Sequence, residues 1–177
     1  MPAIDYYITG DDGATAFGIS KWYAQSFTPA QNYNITSVKL LLYKAAGLFP
    51  GTITVNIETV DGSNKPTGVV QCTGTSNANT LTENTAGEWR EITFSSSALL
   101  TSGTMYAIVV KALDAVGNHL NWRVDNSSPT YAGGILMYTF NSGVSWTNSS
   151  SDGMFETWGT SSGGIIIPYY YQKLLAG

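Results

Sequence analysis

Thr52-Ile53-Thr54-Val55-Asn56-Ile57-Glu58-Thr59 alternates Ile53, Val55 and Ile57 with Thr54, Asn56 and Glu58, and Asp61-Gly62-Ser63-Asn64-Lys65-Pro66 follows it closely. A period of two places the three branched apolar side chains on one face of a strand and the polar ones on the other, the mark of a half-buried strand. The cluster behind it supplies turn chemistry. Working outward, Ile35 to Tyr43 sets Val38, Leu40 and Leu42 against Lys39, Leu41 and Tyr43. Lys21 to Thr28, Gly68 to Thr73, Glu88 to Phe94, His119 to Asp125, Gly134 to Phe140, Gly143 to Thr147 and Met154 to Trp158 read as further strands, with Asn141-Ser142-Gly143 as a hairpin turn. Thr104 to Ala112 is apolar on both faces and reads as central. Gly74 to Gly87 is polar and reads as a long loop with room for a short edge strand. Nearly no helical period is present and no internal repeat, so solenoids and propellers are excluded. The expectation from the pattern is an all-β, antiparallel sandwich or barrel of nine or ten strands.

The 177 residues fit one domain, read as an N-terminal extension (1–20), a sandwich (21–159) and an apolar C-terminal tail (160–177). Hydrophobic residues make up 43% and charged ones 11%, so Ser, Thr, Asn and Gly must supply the polar surface, which suits a secreted, cell-surface or virion protein. The net charge of −4, with eight basic residues scattered singly, gives no footprint for a phosphate backbone, so nucleic acid is excluded as a partner. No apolar run reaches the ~20 residues of a membrane helix. Cys72 is the one cysteine and reads as a small buried hydrophobe. Met1 to Asp12 has neither the basic nor the apolar region of an export signal, as a protein released by lysis would not need.

Catalytic motifs are missing. The single histidine, His119, reads as solvated; there is no phosphate loop and no Cys/His metal spacing. Glu58, Glu88, Glu91, Asp114, Asp125 and Glu156 could pair in space for glycoside hydrolysis, but no pair is singled out. Calcium is the cofactor candidate, through the loop residues Asp11, Asp12, Asp61, Asp114, Asp125 and Asn126, with Asp114 and Asp125 put forward as ligands; the same residue types favour turns without metal.

Five Trp, eleven Tyr and six Phe are the most informative group. Trp89 with Ile92 and Phe94, and Tyr106 with Ile108, read as core. Trp22, Trp122, Trp146 and Trp158 adjoin loops or polar neighbours. Sugar rings stack on exposed indoles while Asn and Arg bind hydroxyls, so Trp122, Arg123, Asn126 and Trp146 are the candidate glycan site; in the competing reading Trp122 plugs one end of the sandwich. Ile165, Ile166, Ile167, Tyr169, Tyr170 and Tyr171 form a sticky tail, read either as a last strand or as a contact with another subunit.

Ala24-Gln25-Ser26-Phe27-Thr28-Pro29, Ile35-Thr36-Ser37-Val38-Lys39-Leu40, Gly51-Thr52-Ile53-Thr54-Val55, Lys65-Pro66-Thr67-Gly68, Gly87-Glu88-Trp89-Arg90-Glu91-Ile92-Thr93-Phe94, Leu100-Thr101-Ser102-Gly103-Thr104-Met105-Tyr106-Ala107-Ile108-Val109-Val110 and Met154-Phe155-Glu156-Thr157-Trp158-Gly159 stand in an order that resembles the jelly-roll domain of bacterial surface proteins, often called choice-of-anchor, and of phage structural proteins. The resemblance covers residues 20 to 159 and carries no site across; it implies that the nine or ten strands are wired as a jelly-roll sandwich, similar to a carbohydrate-binding module, with framework roles for these strands. With it, the expected function is a non-enzymatic structural or decoration subunit of a phage virion or similar extracellular assembly, partnered by other virion or surface subunits and by copies of itself. A carbohydrate-binding module is the alternative, and a glycoside hydrolase a distant third.

Overall fold

The computed structural model describes residues 3–113 and 119–161. Thirteen strands follow in order: β1 (Tyr6–Tyr7), β2 (Gly13–Phe17), β3 (Trp22–Phe27), β4 (Tyr33–Lys44), β5 (Thr52–Val60), β6 (Pro66–Asn77), β7 (Glu88–Leu100), β8 (Tyr106–Lys111), β9 (Leu120–Asp125), β10 (Leu136–Thr139), β11 (Thr147–Asn148), β12 (Asp152–Gly153) and β13 (Phe155–Ser161). One 3₁₀ turn, Ala78–Thr80, is the helical element among the described residues. All pairings are antiparallel and link the strands into one curled sheet in the order β1-β13-β4-β7-β6-β5-β8-β3-β10-β11, with β9 joined to β4, β2 and β12.

The count exceeds the expected nine or ten chiefly through two-residue pieces, β1, β11 and β12, too short to show a period in sequence. Two expected segments also change. Gly143 to Thr147 is a turn leading into β11, and β6 runs on through the polar residues to Asn77 because they pair with β5, Thr52 opposite Asn77. The N-terminal segment is part of the sheet rather than an appendage: β1 pairs with β13, β2 pairs with β9, and Tyr7 and Phe17 enter the core.

Two halves of the sheet face each other across that core. Phe27 on β3 meets Phe155 on β13 at 6.1 Å between ring centroids, and Tyr131 meets Phe155 edge-on at 5.2 Å. Ile53, Val55 and Ile57 are fully buried there, as their alternation predicts, with Val38, Leu40, Leu42, Ile108 and Val110 from neighbouring strands. Each such side chain contributes about 1.5–3 kcal/mol by leaving water. The halves join at a single β6–β7 bridge pair, Gly74 opposite Phe94. A Cβ at Gly74 would lie 2.4 Å from the Thr93 carbonyl oxygen, so only glycine lets the backbones approach this closely.

Trp89 is not core: it is 39% exposed. The alternation that turns Ile92 and Phe94 inward turns Trp89 outward, where it sits opposite Leu41. Cys72 is buried as expected, and burial pushes its thiol up to about 12.

The outer face of the β5-β8-β3-β10 half is covered as well. Ala24, Ala107, Val109 and Met137 form a second buried cluster there, packed by Val60, Ile135 and Trp146. Ala24 and Ala107 are small, which leaves room for the indole arriving from the turn after β10.

Candidate functional site

At the edge of that second cluster lies a pocket of about 160 Å³. Its floor is β5 and β8, from which Asn56, Glu58, Val109 and Lys111 project; Thr67, Gly68 and Val70 of β6 flank it on one side, and Trp22, Ser142, Gly143 and Trp146 on the other.

The polar floor is built with care for its hydrogen bonds. Asn56 and Glu58, each 4% exposed, share the outward face of β5. Asn56 Nδ2 donates to Glu58 Oε1 at 3.0 Å, the Gly68 amide donates to Glu58 Oε2 at 3.0 Å, and Thr73 Oγ1 donates to Asn56 Oδ1 at 2.8 Å. Burying a carboxylate is costly unless donors meet it, and here one amide and one backbone N–H do so while leaving lone pairs on both oxygens. The Lys111 ammonium rests 4.9 Å from the Trp22 ring centroid, a cation–π contact.

The two indoles are brought together by a turn. Asn141 Oδ1 accepts from Thr139 Oγ1 and from the Ser145 amide, Thr139 Oγ1 accepts from the Asn141 and Gly143 amides, and the Ser142 amide reaches back to the Ser20 carbonyl. Gly143 has φ +88°, open to glycine, and a Cβ there would come within 3.0 Å of Trp22 Cζ3 and 3.8 Å of Trp146 Cζ2. Glycine suits this position chiefly through its positive φ, and any larger residue would also press on the Trp22 ring. Trp22 is fixed by its own Nε1–H donating to the Ile19 carbonyl.

The expected glycan site is corrected in part. Trp122 is fully buried and its Nε1 donates to the Met154 carbonyl at 2.8 Å, so it plugs the core and offers no face to a sugar. Its place on β9 decides this, since Leu120, Trp122 and Val124 alternate inward. Arg123 points the other way and pairs with Asp11 at 2.8 Å; the Asn126 amide donates to Asp12 and its Oδ1 accepts from Ser151. None of these three lines the pocket that holds Trp146. Reading from sequence named Glu58 only among the acids weighed for hydrolysis and missed Asn56 and Lys111. Their alternation was visible, but the fold of the 140–148 turn over them was not.

The loop acids proposed for calcium are committed to protein donors. Asp125 Oδ2 accepts from Tyr7 Oη at 2.5 Å and Oδ1 from the Ser128 amide; Asp61 caps its turn through the Ser63 and Lys65 amides; Asp11 and Asp12 hold Arg123 and Asn126. No group of three or more His, Cys, Asp or Glu that could hold a metal occurs among the described residues. Asp114 lies outside the described residues, as do Ile165, Ile166, Ile167, Tyr169, Tyr170 and Tyr171. Of the acids weighed for hydrolysis, Glu88 binds Arg90, Glu91 accepts from Ser37 and Glu156 accepts from the Trp158 indole. Asp125 stands opposite Asp152 on β12, whose Oδ2 accepts from the Tyr131 amide.

No protein-family model matches the chain, and no curated protein matches it. Among the described residues no helix is long and apolar enough to cross a membrane.

Proposed function

We propose that the chain is a non-enzymatic subunit of a phage virion or similar extracellular assembly, built on a jelly-roll sandwich, and that it recognises a glycan in the pocket between Trp22 and Trp146. The pocket is the observation that carries the reading. Two indoles line it, apolar surface of the kind on which the C–H side of a sugar ring stacks, and Glu58, Asn56 and Lys111 bring an acceptor, a mixed donor–acceptor and a donor for its hydroxyls. Glycoside hydrolysis in its usual form needs two carboxyl groups about the scissile bond, and Glu58 is the one carboxylate among the lining residues. The low charged fraction and the resemblance to phage and surface domains favour an extracellular setting.

A glycan array probed with the full chain, Trp22→Ala and Trp146→Ala tests this. Binding by the parent that each substitution weakens ten-fold or more, with the thermal melt still cooperative, is the expected result. An array without hits, or hits that survive both substitutions, overturns the glycan reading. Self-association belongs to the same proposal: light scattering is expected to give a mass above that of one chain, and a monomer removes that part alone.

A further inference from the structure

Resting on that reading, we infer that the pocket takes a single neutral sugar ring at the end of a glycan, not a run of rings and not an acidic sugar. The shape argues the first part. The cavity is about 160 Å³, well below the ~300–1,000 Å³ of sites for larger ligands, and the turn after β10 bounds it on one side. On one flank β6 carries Thr67, Gly68 and Val70; on the other the turn after β10 brings Ser142, Gly143 and Trp146 over β3. Beside that turn lie β8 and β5, strands spaced ~4.8 Å apart, which give a floor about the width of one ring, and β6 continues the sheet beyond them. A chain crossing the strands toward β3 would meet Ser142, Gly143 and Trp146. The shallow platform that lets several rings stack in line is missing here, because the indoles converge on Gly143 instead of standing apart.

Charge argues the second part. The lining holds one carboxylate, Glu58, and one ammonium, Lys111, so their charges cancel. Lys111 already faces the Trp22 ring, and a ligand carboxylate brought to the floor would meet the Glu58 oxygens. The whole chain carries −4, which repels acidic sugars further. A neutral ring needs no counter-charge: its hydroxyls donate to the open lone pairs of Glu58 and accept from Lys111 and from the second N–H of Asn56.

Calorimetric titration of the full chain tests this with glucose, galactose, mannose and N-acetylglucosamine as neutral single rings, glucuronate, galacturonate and N-acetylneuraminate as acidic ones, and cellotetraose and mannotetraose as chains. At least one neutral monosaccharide is expected to bind, its tetrasaccharide no more than about three-fold tighter, and the acidic sugars at least ten-fold weaker. Glu58→Gln removes the charge and turns one acceptor into an NH2 that faces either the Asn56 or the Gly68 donor, which should weaken the neutral sugar ten-fold or more while a cooperative melt shows the fold intact. Lys111→Gln should weaken it several-fold without admitting acidic sugars. A tetrasaccharide ten-fold tighter than its monosaccharide overturns the single-ring inference, and preferential binding of an acidic sugar overturns the charge inference; in both cases the glycan reading stands. No heat with any of these, on a protein that also gives no array hits, sinks that reading with the inference.

Discussion

Asp5 and Asp152 are carboxyls that the fold makes harder to ionise, both chiefly by burial, with Tyr33 as a hydrogen-bond partner for Asp5 and the Tyr131 amide and Gln25 for Asp152; the Asp125 charge adds to the effect on Asp152. Asp5 Oδ2 is buried without a hydrogen-bond partner. A carboxyl whose pKa is raised on folding contributes stability below its ordinary value, and that contribution is lost as pH rises through the raised value. Asp12, Asp61 and Glu83 act oppositely: hydrogen bonds from Ser127 and Asn126, from Lys65 and Ser63, and from Lys44 and Gly47 hold them low, so their contribution is lost as pH falls. Asp5→Asn is therefore expected to leave stability unchanged in acid and to raise it at neutral pH. Urea melts of both proteins across the carboxylate range check this. A variant less stable than the parent at neutral pH contradicts it.

Residue identity alone could not separate Trp122 from Trp146. Both adjoin polar neighbours in sequence, yet one lies on the inward face of a strand and the other at the end of a turn. For Trp122 the period of β9 held the answer. Trp122→Phe keeps most of the packing but removes the shorter of two hydrogen bonds to the Met154 carbonyl, which still accepts from the Leu41 amide at 3.4 Å, and should cost about 0.5–1.5 kcal/mol. Trp122→Ala adds a cavity and should cost about 3–5 kcal/mol, read by urea unfolding.

Elements with a clean period were legible. β5 is predicted over Thr52 to Thr59 and spans Thr52–Val60, because Ile53, Val55 and Ile57 leave one register for core packing. What the period could not show is cover. It marks Asn56 and Glu58 as facing away from the core, which is correct, but their burial depends on the distant 140–148 turn. Short strands escaped for the opposite reason: two residues have no period, and β1, β11 and β12 exist only through their partners. Gly74 is the joint between the two halves, so Gly74→Ala should destabilise by about 1–3 kcal/mol through its contact with Thr93. Thermal unfolding with an unchanged midpoint would show that the single bridge does not hold the halves together.

At the scale of the molecule, the curl makes an inside and a second, smaller interior. The inside was readable as the sum of many apolar faces. The outer cluster was not, because it requires the sheet to present Ala24 and Ala107 where the turn can lay Trp146. That arrangement puts both indoles beside a buried carboxylate, and the account of function rests on it. Five tryptophans give five indole N–H signals in a two-dimensional NMR spectrum, which makes the claim directly readable during a titration with the sugar that binds best. The signals of Trp22 and Trp146 are predicted to move together while that of Trp122 stays still. Movement confined to Trp89 or Trp158 would place recognition on the other half of the sheet and contradict the account.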